Sequence, residues 1–62
     1  MKVGDLVKWN DKLHIVTKEW TNLYNLQEIN SDYPPSIIDK GLIKIYTELG
    51  DLTIISKSLN KS

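Results

Sequence analysis

The chain has 62 residues, eight lysines against eight acidic residues, and a formal net charge of zero. A length of this order allows one small domain, and 40% hydrophobic with 26% charged residues is the balance of a chain that folds. There is no cysteine, so neither a disulfide nor a thiolate metal site can staple it, and no apolar run exceeds two residues, too short for a membrane span or the apolar stretch of a signal peptide.

The absence of alanine beside eight isoleucines, three valines and four threonines favours strands. β-Branched side chains lose freedom in a helix and pack well on a pleated surface. In chain order, Leu6 to Trp9 alternates Val7 and Trp9 against Leu6 and Lys8, and Asn10-Asp11 supplies a pair that tolerates positive φ in a tight turn. Leu13 to Glu19 follows, with Leu13, Ile15 and Thr17 opposing His14, Val16 and Lys18. A second turn at Thr21-Asn22 leads to Leu23–Ile29, where Tyr24 and Leu26 share one side. Asn30-Ser31-Asp32 breaks the pattern, and Tyr33-Pro34-Pro35 is an extended linker.

Residues 36–41 admit two readings: one helical turn opened by Ser36 and closed by Gly41, or a short edge strand. The strand is favoured slightly, because so few residues rarely sustain a helix. Leu42 to Thr47 and Leu52 to Ser56, flanking Leu49-Gly50-Asp51, read as a further hairpin, and no helix longer than two turns is expected. The sum is an all-β domain over residues 1–57, a small barrel of five to six short antiparallel strands, with residues 58–62 a frayed tail. Its expected core is Val7, Trp9, Ile15, Val16, Leu26, Ile43 and Ile45, with Ile15 and Val16 on opposite faces.

The segments Gly4-Asp5-Leu6-Val7-Lys8-Trp9 and His14-Ile15-Val16-Thr17-Lys18 resemble the first two strands of small SH3-like barrels, including KOW-type modules. In these a G-D-x-V opening leads to a strand of the form x-I-V-x-x; His14 stands where the KOW pattern has glycine. The resemblance covers roughly residues 3–46 and implies Leu42–Ile45 as the closing strand, with Leu52–Ser56 additional. Short stand-alone proteins of this type occur among tailed-phage accessory proteins. The resemblance therefore implies a host-directed or virion component, in the host cytoplasm or associated with the virion.

Little in the chain suits catalysis. One histidine and no cysteine provide no nucleophile–base pair, so no catalytic residue is assigned and no enzyme is expected. Scattered carboxylates and a lone histidine form no metal-ligand cluster, isolated glycines form no phosphate loop, and no cofactor is expected. His14 reads as strand packing. The aromatics say more. Trp20 at a strand end, Tyr24 close to it in sequence, and Tyr33 in a loop are the candidate protein-binding residues, since tryptophan and tyrosine offer large contact area with a polar handle. The alternative is that Trp20 and Tyr33 plug a barrel end. The expected function is a non-enzymatic protein-interaction module, its partner a host or viral protein or a second copy of itself. A nucleic-acid-binding barrel is the second reading. It is disfavoured by balanced charge and by the lack of arginine for bidentate guanine contacts, unless folding gathers Lys8, Lys18, Lys44 and Lys57.

Overall fold

In the computed structural model, which describes residues 1–56, the chain is mostly β: β1 (Leu6–Trp9), β2 (Lys12–Glu19), β3 (Leu23–Glu28), β4 (Ser36–Asp39), helix α1 (Lys40–Leu49) and β5 (Leu52–Ser56). The five strands form one antiparallel sheet in the order β4-β3-β2-β1-β5. The expected tail at 58–62 lies outside the described residues.

The first half of the chain folds as its alternation dictates. Asn10 and Asp11 take φ of 55° and 64°, the left-handed pair that a two-residue hairpin needs, and they set Val7 opposite His14 and Trp9 opposite Lys12. Gly4 has φ 96°, open to glycine at no steric cost. The turn it makes brings the Gly4 N–H to the Val16 carbonyl (2.8 Å), the Val16 N–H to the Asp5 carbonyl (3.0 Å), and the Lys2 N–H to buried Asp5 Oδ2 (2.8 Å). The Gly4-Asp5 pair is thus a backbone clasp on β2. Between Val16 and Lys18 a bulge shifts the β2–β3 register, so that Lys18 opposes Asn25 and Glu19 opposes Tyr24.

The sheet has an inner face, on which Val7, Val16, Tyr24, Leu26 and Ile38 form the buried cluster, with Met1, Trp9, Ile43 and Tyr46 packed against it. Leu52 of β5, opposite Trp9, is buried as well. His14 is buried on this face, its ring 5.4 Å from that of Trp9. Its Nδ1 lies 2.9 Å from the Lys12 carbonyl, which can only accept, so Nδ1 carries the proton. The histidine is packing, as its place in an alternating strand suggested.

The C-terminal half corrects the sequence reading. Leu42–Thr47 is not a strand, and Leu49-Gly50-Asp51 is not a hairpin turn: α1 runs ten residues, nearly three turns. Asp39 is its N-cap, with Oδ1 accepting from the Gly41 N–H at 2.7 Å. Gly50 (φ 86°) ends it in the left-handed region, its N–H donating to the Thr47 carbonyl at 3.1 Å. The apolar positions 42, 43, 45, 46 and 49 carry the helical period, which outweighs the strand propensity of their isoleucines. Residues 36–39 are the edge strand that was favoured. The strand pairing with β1 at the far side of the sheet is Leu52–Ser56, not Leu42–Ile45. α1 contacts both edge strands, β4 and β5.

Of the expected core, Val7, Val16 and Leu26 are buried and Trp9 and Ile43 half-buried. Ile15 is half-buried on the outer face, opposite in sense to Val16 as expected. Ile45 is 49% exposed, because the helix turns it away from the sheet. Among the described residues no helix is long and apolar enough to cross a membrane.

Candidate functional site

β4 is an edge strand, and an apolar groove lies beside it. After β2 the chain reverses over Trp20–Asn22, with the Trp20 N–H donating to the Leu23 carbonyl at 2.8 Å and the Lys40 N–H to the Asn22 carbonyl at 2.9 Å. The turn is therefore tied both to β3 and to the start of α1. It lays Trp20 beside the outer faces of β3 and β4, where Trp20, Thr21, Asn22, Leu23 and Ile37 line an open groove of about 400 Å³. Trp20 is 43% exposed and Ile37 60% exposed.

Ile37 was not singled out in the sequence, yet the signal was present. Ile37 and Ile38 are adjacent, and a strand sends neighbours to opposite faces. Ile38 is buried in the core, so Ile37 is displayed.

The three sequence-derived candidates part company. Trp20 lies on the surface at the groove, as expected of a strand end. Tyr33 is 68% exposed at the far end of β3, where its carbonyl accepts from Gln27 Nε2 at 3.0 Å and its N–H donates to Ser31 Oγ at 3.0 Å. It is displayed rather than folded back as a plug. The length of β3, roughly 17–20 Å for a strand of this size, separates it from Trp20, with Ile37 between them. Tyr24 does not sit on a rim with Trp20. It is 8% exposed, because its even position in β3 faces inward with Leu26, and its hydroxyl donates to the Met1 carbonyl at 2.9 Å. What remains of its ring carries the Lys40 ammonium, 4.9 Å from the centroid. Tyr24 supports the site from beneath.

Lys40 also pairs with Glu19. Its Nζ lies 2.6 Å from Glu19 Oε2, with the side chains 32% and 37% exposed. The hydrogen bond to Lys40 holds the Glu19 carboxyl below its ordinary value, and the same bond holds the Lys40 ammonium above its own.

A second concavity, about 190 Å³ and polar, lies where the β1–β2 turn meets the turn after α1, between Lys8, Asn10, Asp11, Gly50, Asp51 and Thr53. The Asn10 N–H donates to the Asp51 carbonyl at 3.3 Å there, so the notch follows from two turns braced on one another. Among the described residues no group of three or more histidine or acidic side chains is placed to hold a metal ion. Comparison with protein families, with curated proteins and with solved structures returned no match.

Proposed function

We propose that the chain is a non-enzymatic protein-interaction module that takes a short extended segment of a protein partner beside β4. The single observation behind this reading is the display of Ile37 and Trp20 on a groove at a sheet edge. An edge strand offers backbone donors and acceptors to an incoming strand, and a neighbouring apolar groove selects one of its alternate side chains. Pro34-Pro35 before β4 and the helix cap at Asp39 after it limit the pairing to about four residues, so the recognised segment is short.

The placement of lysines supports this reading over nucleic-acid binding. Lys8 and Lys18 lie on the outer face of the sheet, whereas Lys44 projects from α1, which covers the inner face. Lys57 lies outside the described residues. Among the described residues Lys8, Lys18 and Lys44 do not share one face, and phosphate binding depends on such a collection.

The test is selection of extended peptides from a displayed random library against the intact chain, followed by binding to the Trp20→Ala and Ile37→Lys variants. Selected peptides should carry alternating apolar residues and lose at least about tenfold in affinity to either variant. Undiminished binding to both variants overturns the site. Salt-sensitive binding to DNA or RNA, with no peptide recovered, overturns the reading in favour of nucleic acid.

A further inference from the structure

The ladder between β3 and β4 fixes which backbone groups of β4 face away from the sheet. The Lys40 N–H donates to the Asn22 carbonyl at 2.9 Å, and from there Leu23 opposes Asp39, Tyr24 opposes Ile38, Asn25 opposes Ile37 and Leu26 opposes Ser36 without a shift. Bonded and non-bonded pairs alternate in an antiparallel ladder, so Tyr24–Ile38 and Leu26–Ser36 are the bonded pairs. Every peptide bond is trans, which sets each C=O opposite in direction to the next N–H. The N–H groups of Ile37 and Asp39 and the carbonyls of Pro35 and Ile37 therefore point outward, and among the described strands none lies beyond β4. Two groups are missing from this row. Pro35 has no N–H, and the Asp39 carbonyl, as that of the N-cap, accepts the first bond of α1.

We propose that the occupant of this edge is β4 of a second copy of the chain, antiparallel about a twofold axis at Ile37. The inference rests on the reading of β4 as an edge that accepts a strand, and it names the strand. The row is its own complement when reversed. Ile37 exchanges both bonds with Ile37 of the other copy, and each Asp39 N–H donates to the other Pro35 carbonyl. The carbonyl that cannot accept, at Asp39, then stands opposite the proline that cannot donate. A segment with an ordinary residue at that place would turn an N–H onto an engaged carbonyl, so the fitting pattern is a proline two residues before an apolar side chain. Pro35-Ser36-Ile37 is that pattern. The pairing lays the two Ile37 side chains, each 60% exposed in the single chain, against one another on the outer face. Charge does not oppose it. Residues 33–38 carry none, and the two Asp39 residues stand about 13 Å apart along the strands. Five paired residues fall short of the ~800 Å² per partner of a standard interface, so the dimer is weak and depends on concentration.

Sedimentation of the full chain over a concentration series should show a monomer–dimer equilibrium. Amide hydrogen exchange at low and high concentration then reads the register. The Ile37 and Asp39 amides should slow at least about fivefold as the dimer forms, and Ser36 and Ile38, already bonded to β3, should slow far less. Ile37→Lys enters the interface twice and should weaken the dimer at least about tenfold, with the circular dichroism melt in place because Ile37 lies outside the core. A chain that stays monomeric at millimolar concentration overturns the second copy as occupant. If selected peptides still bind at β4 in that case, the reading of the edge stands without it, whereas loss of both overturns both. A dimer in which exchange at Ile37 and Asp39 is unchanged, or which is indifferent to Ile37→Lys, overturns this pairing.

Discussion

The two faces of the sheet carry similar side chains and put them to different use. Inside, Val7, Val16, Tyr24, Leu26, Ile38 and Leu52 are buried, sealed by Trp9, Ile43 and Tyr46. Outside, Leu6, Ile15 and Leu23 are only half-covered by their strand neighbours, and Leu13, Ile37 and Ile55 stand open. Hydrophobicity does not separate the two sets. What separates them is the helix, which gives one face a second layer and leaves the other with none. An apolar side chain with no second layer contributes little to folding, and for that reason is available for contact with another molecule.

The contrast is tested most severely by Leu26→Ala. A fully buried leucine lost from the inner face should cost about 2–5 kcal/mol, comparable with the total stability of a domain this small. Urea denaturation at 25 °C measures it, and a loss below about 1 kcal/mol would mean the inner face is not the core. Next in size is the device that makes the helix a second layer at all. Asp39→Ala removes the N-cap hydrogen bond to Gly41 and should cost about 0.5–2 kcal/mol, whereas Asp39→Asn or Ser should retain most of it.

On the outer face Trp20→Ala should lower stability by no more than about 1 kcal/mol while reducing partner binding by about 2 kcal/mol or more. The opposite partition, stability lost and binding per folded molecule kept, would make Trp20 part of the fold rather than of a site.

The smallest effect lies at the boundary between the faces, in the Glu19–Lys40 pair. Glu19 is depressed in the folded protein, so its contribution is complete above the ordinary carboxylate pKa of about 4.3 and is lost as pH falls through the lower folded value. Lys40 is raised, so its contribution is complete below about 10.4 and is lost as pH rises through the higher folded value. Lys40→Met should flatten both limbs of the urea midpoint against pH, and salt should shrink them in the native chain.

How much of this could be read beforehand differs along the chain. From Leu6 to Ile38 the turn residues and the period of two agree except at the bulge after Val16, which turns Lys18 outward, so Asn10-Asp11, Thr21-Asn22 and the inward set Val7, Val16 and Leu26 are legible. After Asp39 two signals conflicted. Ile43 and Ile45 favour a strand by propensity, while positions 42, 45, 46 and 49 favour a helix by spacing, and the caps at Asp39 and Gly50 decide for the helix. Reading that segment as strand placed Ile45 inside. Of the candidate site, Trp20 was legible from its position at a strand end. Tyr24 is near Trp20 in sequence, but the alternation it shares with Leu26 sends it inward. Ile37 was hidden by its neighbour Ile38, a pair whose division between faces needs the third dimension to assign.

The pairing of β1 with β5 sets Leu6 opposite Ser56 and Trp9 opposite Leu52, joining regions from the two ends of the described chain. The remaining strand pairs join neighbours in sequence through short connections or a short loop. In kinetic terms the molecule is a quickly assembled meander closed by one expensive contact, since a long loop must lose its freedom before that contact gives anything back. The expected order is β1–β2–β3 first and β5 last. Its signature is a φ-value near zero for Leu52→Ala beside a high one for Val16→Ala, and the reverse would place the ring closure in the nucleus. If the order holds, β5 is also the first strand to leave, and substitutions there change how long the native state persists more than how fast it forms.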